Sequence, residues 1–140
     1  MADPAKHIAQ WKHNRAFLNF IPPAYSDWIV TATFYVALHA VDSLLEFDNV
    51  DRVHSHETRN RVLTGTNRYM AIWRTYQPLH DLSRKIRYMA DPQEWVPPSL
   101  IDKQVLRRYL YPIEKSVKNL MPVPIDLPEI VIAGITSAPQ

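Results

Sequence analysis

Residues 26–47 read SDWIVTATFYVALHAVDSLLEF, and this stretch decides the fold class. Apolar side chains, among them Trp28, Ile29, Phe34, Val36, Leu38, Val41, Leu44 and Leu45, cover most of its circumference when wound at the helical period. A helix that is apolar on nearly all sides belongs at the centre of a bundle, packed on several neighbours. Ser26 or Asp27 is placed to cap it. One polar ridge remains: Thr31, Tyr35, His39, Asp42 and Glu46 recur three or four residues apart, so His39 and Asp42 fall within side-chain reach. His39, Asp42, Ser43 and several Thr interrupt the run. A bilayer span needs about 20 predominantly apolar residues, and the stretch is read as a buried helix.

The flanking segments continue the helical pattern. With twelve Pro and only two Gly, proline does most of the punctuation. Ile8, Trp11, Arg15, Leu18 and Ile21 form a stripe over about Pro4 to Phe20, with Asp3 as the expected N-cap, and Pro22 and Pro23 end it. Residues 48–55 form a polar loop. Ser55 caps a short helix that ends near Gly65, and a long helical pattern runs from Thr66 to Met89, with Pro78 expected to kink or split it. A last helix spans Ser99 to Leu120 and is expected to bend at Pro112. The expected architecture is an all-α, four- to five-helix up-and-down bundle over residues 1–120, followed by an extended Pro-rich tail over 121–140. Within that tail Ile130–Ile135 is β-prone and apolar. It either folds back over the helices or docks on a partner.

Composition narrows the function classes. The absence of Cys excludes disulfides, a thiol nucleophile and Cys-ligated metal, and suits a reducing cytoplasmic setting. The N-terminal residues lack the apolar core of a signal peptide. Scarce Gly excludes phosphate-binding and dinucleotide loops, so no cofactor is expected. Charge is asymmetric. Residues 25–51 carry Asp27, Asp42, Glu46, Asp48 and Asp51 with no Lys or Arg. Residues 52–87 carry eight basic residues against Glu57 and Asp81, a net of +6. Such a block either attracts phosphate, with Arg59, Arg61, Arg84 and Arg87 as its contacts, or pairs with the acidic helix before it.

Three histidine groupings carry candidate chemistry. His54 and His56 begin a metal-like spacing but lack further ligands, so no metal site is expected. His39 with Asp42 is either an oriented base or a satisfied core histidine. Arg74 and His80 pair a phosphate-binding guanidinium with a proton-moving imidazole. On a straight helix, residues six apart diverge by about 120°. Convergence of Arg74 and His80 on one target therefore requires a kink at Pro78 or a second subunit.

The order of these features resembles the HEPN superfamily. An aromatic-rich helix over 33–45 precedes Ser55, His56 and Arg59, and a later helix ends in Leu82, Ser83, Arg84, Lys85, Ile86, Arg87 and Tyr88. The resemblance covers roughly residues 10–120. It implies a helical bundle that usually dimerises or joins a protein complex, and the interrupted apolar run gives no reason to expect a membrane partner. It further implies an RNA-associated binding or assembly module, often of a defence or toxin–antitoxin system. A metal-independent endoribonuclease using Arg74 and His80 is the alternative it implies, and a purely structural subunit is the third. Thr75 stands where the family's motif usually carries Asn, Asp or His after the Arg.

Overall fold

A computed structural model of the chain describes residues 3–50 and 53–136. Arg52 and the last four tail residues, which belong to the expected basic window and tail, lie outside the described residues. The chain is all-α. Helices α1 (Ala5–Leu18), α2 (Ser26–Phe47), α3 (His56–Thr64) and α4 (Met70–Met89) follow in order, and a fifth, α5, occupies residues 98–120. No strand forms among the described residues.

Each boundary has a local cause. The Asp3 carboxylate accepts the Ala5 N–H at 3.0 Å and starts α1. Neither Ser26 nor Asp27 caps α2, because a 3₁₀ turn over Pro23–Tyr25 runs straight into it and leaves Ser26 already helical and buried. Ser55 does cap α3, its hydroxyl accepting the Thr58 N–H at 3.1 Å. Pro78 does not split α4, which stays continuous. The Arg74 carbonyl, which loses its helical donor there, belongs to an exposed residue. Pro112 is accommodated differently. The preceding turns, Asp102–Leu110, widen to π geometry, which moves the carbonyls that the proline ring would strike.

Helix α2 is the hub, packed on α1, α4 and α5. It is long and apolar enough by composition to cross a membrane, but 78% of its most apolar window is buried inside the bundle. A buried polar clasp holds α1 to α5: Trp11 Nε1 donates to Glu114 Oε2 at 2.7 Å, and Arg15 Nε lies 2.9 Å from the same oxygen. Burial pushes the Glu114 carboxyl above its usual range, while Arg15 and the Trp11 hydrogen bond pull it back.

Residues 121–136 are extended, as expected, and fold back over the helices. Met121, Ile125, Ile130, Ile132 and Ile135 are buried in the common core, while Val131 stays exposed. Arg15 donates to the Pro128 carbonyl. Asn19 donates to the Glu129 carbonyl at 2.8 Å and accepts the Val131 N–H at 2.7 Å, so one side-chain amide replaces the strand partner that this β-prone segment would otherwise need. Gly134, at φ 80°, closes the last turn in a conformation that strains any other residue.

Fully burying one aliphatic side chain stabilises by about 1.5–3 kcal/mol, and a whole domain is stable by about 5–15 kcal/mol. A chain ending at Leu120 should therefore lose cooperative thermal unfolding by circular dichroism. A sharp transition within a few degrees of the full chain's would show that the helices stand without the tail.

Candidate nucleic-acid interface

The polar residues of the α2–α3–α4 junction converge where the histidines of α3 and α4 meet. The junction is organised by a buried ion pair. Arg59 Nε donates to Asp42 Oδ1 at 2.7 Å and its Nη2 to Asp42 Oδ2 at 2.9 Å, with both side chains under 10% exposed. The carboxylate holds the Arg59 pKa up against the opposing effect of burial. A two-pronged pair of this kind fixes α3 in both position and roll against α2.

One helical turn before Arg59, His56 is carried to the mouth of the junction. Its Nδ1 lies 3.4 Å from the third guanidinium nitrogen. Its ring centroid lies 4.5 Å from that of His80, which comes from the middle of α4. His80 in turn stacks on Phe34 of α2, 4.8 Å away and nearly parallel. Residues 76, 80 and 83 of α4 form one inward stripe. His80 Nε2 and Ser83 Oγ are buried there without a hydrogen bond, while the buried Tyr76 hydroxyl faces the Arg59 guanidinium. Buried polar groups are usually paired in folded proteins, so these two make the junction a candidate site.

The imidazoles are held neutral. Burial pushes His80 down to about 4, assisted by His56, Arg84 and Arg87 and opposed by Asp81. Burial and then Arg59 push His56 down as well. Burial raises the Tyr76 hydroxyl out of the titrating range.

Arginines frame the rim. Arg87 donates to the Tyr35 hydroxyl at 3.1 Å and lies over the rings of Tyr35, Phe34 and Tyr88. Arg84 is exposed one turn beyond His80, and no carboxylate pairs with it or with Arg87 among the described residues. Beyond Tyr35 the surface turns apolar, with an open groove of about 410 Å³ walled by Phe17, Phe20, Tyr25 and Trp28. A smaller cavity of about 210 Å³, which shares Trp28 and Thr31 with it, is bounded by Trp28, Trp95, Asp27 and Arg87.

The other expected site residues are placed as follows. Arg74 is exposed, while His80 is buried on another face and has His56, Arg84, Asp81 and Arg87 as its charged neighbours. The continuous α4 does not bring Arg74 and His80 together. Arg59 is spent on Asp42, and Arg61 pairs with Glu57 at 3.2 Å. Arg68 pairs with Asp48 and Lys85 with Glu94. The acidic helix thus takes up Arg59 and Arg68 of the basic block, and Arg84 and Arg87 keep no carboxylate among the described residues. His39 does not pair with Asp42. Its Nδ1 meets His7 Nδ1 at 2.9 Å, and His7 Nε2 lies 3.3 Å from Glu46. Arg59 reaches Asp42 from α3 and takes up both carboxylate oxygens. His54 is exposed and apart, and no group of three or more His, Asp or Glu able to hold a metal occurs among the described residues.

The sequence reading missed Tyr76, Ser83 and Phe34 as site residues. The four- and three-residue spacing of Tyr76 and Ser83 around His80 was the available signal, while Phe34 reaches the site from α2 and gave none. Comparison of the chain with models of known families, with curated proteins and with solved structures returned no match.

Because the folded state binds His80's proton only near pH 4 while the unfolded chain binds it near 6.5, stability should fall as pH drops through that window, by on the order of 1–3 kcal/mol from this residue. Urea unfolding at pH 7 and pH 4.5 should show a smaller drop for His80→Phe than for wild type. An equal drop would place the sensitivity elsewhere. Asp42→Asn, which leaves Arg59 buried with half its partner, should cost about 3–5 kcal/mol at neutral pH in the same assay.

Proposed function

We propose that this chain is an RNA-associated binding module of the HEPN type that holds single-stranded RNA by its phosphates at the α3–α4 face. The observation that carries the reading is the division of the basic block. Arg59, Arg61, Arg68 and Lys85 are neutralised by Asp42, Glu57, Asp48 and Glu94, whereas Arg84 and Arg87 stand without carboxylates beside His56 and His80, and Arg74 lies apart on another face. Guanidinium groups without a carboxylate at a rim, Arg84 exposed and Arg87 held by the Tyr35 hydroxyl and the Ser83 carbonyl, suit a phosphate backbone whose bases stack on nearby aromatic side chains. The setting implied by the resemblance, a homodimer or complex in a defence or toxin–antitoxin system, belongs to the same proposal.

Fluorescence anisotropy with a short single-stranded RNA tests it. Arg84→Ala with Arg87→Ala should weaken binding at least about tenfold at low salt. It should also flatten the log–log salt slope by about 1.4, the value for two lost single-strand phosphate contacts. Arg61→Ala should change little. Undiminished binding by the double variant would overturn the reading.

Metal-independent RNA cleavage is the second reading, favoured by the 4.5 Å approach of the His56 and His80 rings. One imidazole would take the 2′-hydroxyl proton as that oxygen attacks phosphorus. The bond to the 5′-oxygen breaks, the departing oxygen takes a proton from the other ring as imidazolium, and a 2′,3′-cyclic phosphate is left. With both pKa values lowered, the imidazolium form is populated only in acid. Cleavage in EDTA should then peak below pH 6.5 and vanish in both His56→Ala and His80→Ala. Loss in Arg74→Ala as well would mean that Arg74 enters from a second copy. Intact RNA across pH 4–8 would dismiss this reading and leave the binding module.

A further inference from the structure

The cavity between Trp28 and Trp95 has the makings of a base pocket. Its volume of about 210 Å³ is below the roughly 300–1,000 Å³ of pockets for drug-sized ligands, which suits one planar ring system. Tryptophans from the start of α2 and from the loop after α4 supply two of its walls, and Ile86 and Ala90 supply apolar contact. Asp27 also lines this space. Its Oδ1 is buried and accepts no hydrogen bond, and Asp27 forms no ion pair among the described residues, although Arg87 borders the same cavity. A buried acceptor without a donor is costly to keep, and a ligand that brings N–H groups removes that cost.

A carboxylate is acceptor-only, so it selects for adjacent donors. Among the four RNA bases only guanine presents two neighbouring N–H donors, N1–H and the 2-amino group, on its Watson–Crick edge. Adenine and cytosine place a ring acceptor beside the amine, and uracil flanks its one N–H with two carbonyls. Both ring acceptors and carbonyls repel a carboxylate. Aromatic walls hold any base by stacking, and the carboxylate adds the choice. Arg87 links the pocket to the phosphate rim, because it borders the cavity and also lies among the charged neighbours of His80 and His56.

We infer that Asp27, Trp28, Trp95 and Arg87 form a guanine-selective pocket, in which the Asp27 carboxylate reads the base edge and Arg87 holds the neighbouring phosphate. The inference rests on the RNA-binding reading above and adds a base preference to it.

The test uses the full chain and four pentaribonucleotides, a pentauridylate and its versions with guanosine, adenosine or cytidine at the centre. A good paired base contact discriminates by about 5- to 150-fold. The guanosine pentamer should therefore bind about tenfold or more tighter than the other three. Asp27→Asn, checked for unchanged melting, should bring the guanosine-to-uridine ratio to within about twofold, and Trp95→Ala should weaken the guanosine pentamer about tenfold. Wild-type ranking alone decides the matter if either variant fails to fold. Equal affinity for all four pentamers, with the loss in Arg84→Ala/Arg87→Ala intact, would overturn the pocket and leave the binding module standing. No affinity for any pentamer would overturn both. A concentration-dependent dimer in sedimentation that Trp28→Ala disperses, without a guanosine preference, would make this face a protein interface and also overturn the pocket.

Discussion

The two-pronged ion pair between Asp42 and Arg59 is the constraint on which the candidate site depends. Helix α3 is only nine residues long and buries little besides Arg59 and Leu63, and helices shorter than about 12–15 residues are marginal in water by themselves. Its place in the fold therefore comes from its contacts, of which the pair with α2 is the most directional. Two parallel hydrogen bonds fix the roll of α3 as well as its distance. His56, one turn before Arg59, is thereby aimed at His80. Replacing such a pair with apolar side chains is often neutral for stability. Its use here lies in orientation.

A second buried ion pair works on the opposite set of elements. Glu114 receives Trp11 and Arg15 from α1, and Arg15 continues outward to the Pro128 carbonyl. One acid of α5 thus ties together the first helix, the last helix and the extended tail. The central helix α2 contributes the apolar surface that these elements share, while polar clasps choose how they sit on it. A nearly uniform greasy helix such as α2 specifies burial strongly and neighbour orientation weakly, and directional pairs supply the missing information.

The split of the basic block shows how tertiary structure turns composition into a surface. Of the cations between 59 and 87, those whose helical face meets α2 or its end are matched by Asp42 and Asp48. Arg61 and Lys85 find Glu57 and Glu94 on exposed ground. What remains is Arg74, exposed on another face, and a short rim of Arg84 and Arg87 beside the imidazoles of His56 and His80 and an aromatic surface. A count of charges along the chain contains both outcomes, and the fold divides them.

The helical fold, the helix order and most helix ends were legible in the residues themselves. Hydrophobic period, proline placement and the Ser55 cap are local signals, set by backbone geometry within a few residues. The long apolar stretch of α2, interrupted by His39, Asp42 and Ser43, likewise pointed to a central helix. Which polar groups meet was decided only by the tertiary structure. His39 and Asp42, neighbours on one helix face, were each claimed by a residue from another element, His7 and Arg59. Arg74 and His80 share a helix and point apart, whereas His56 and His80, far apart in sequence, came together. The β-prone tail found an asparagine side chain and a helical core in place of a strand. Contacts of this kind depend on distances between elements, and the period of a single helix carries no information about them.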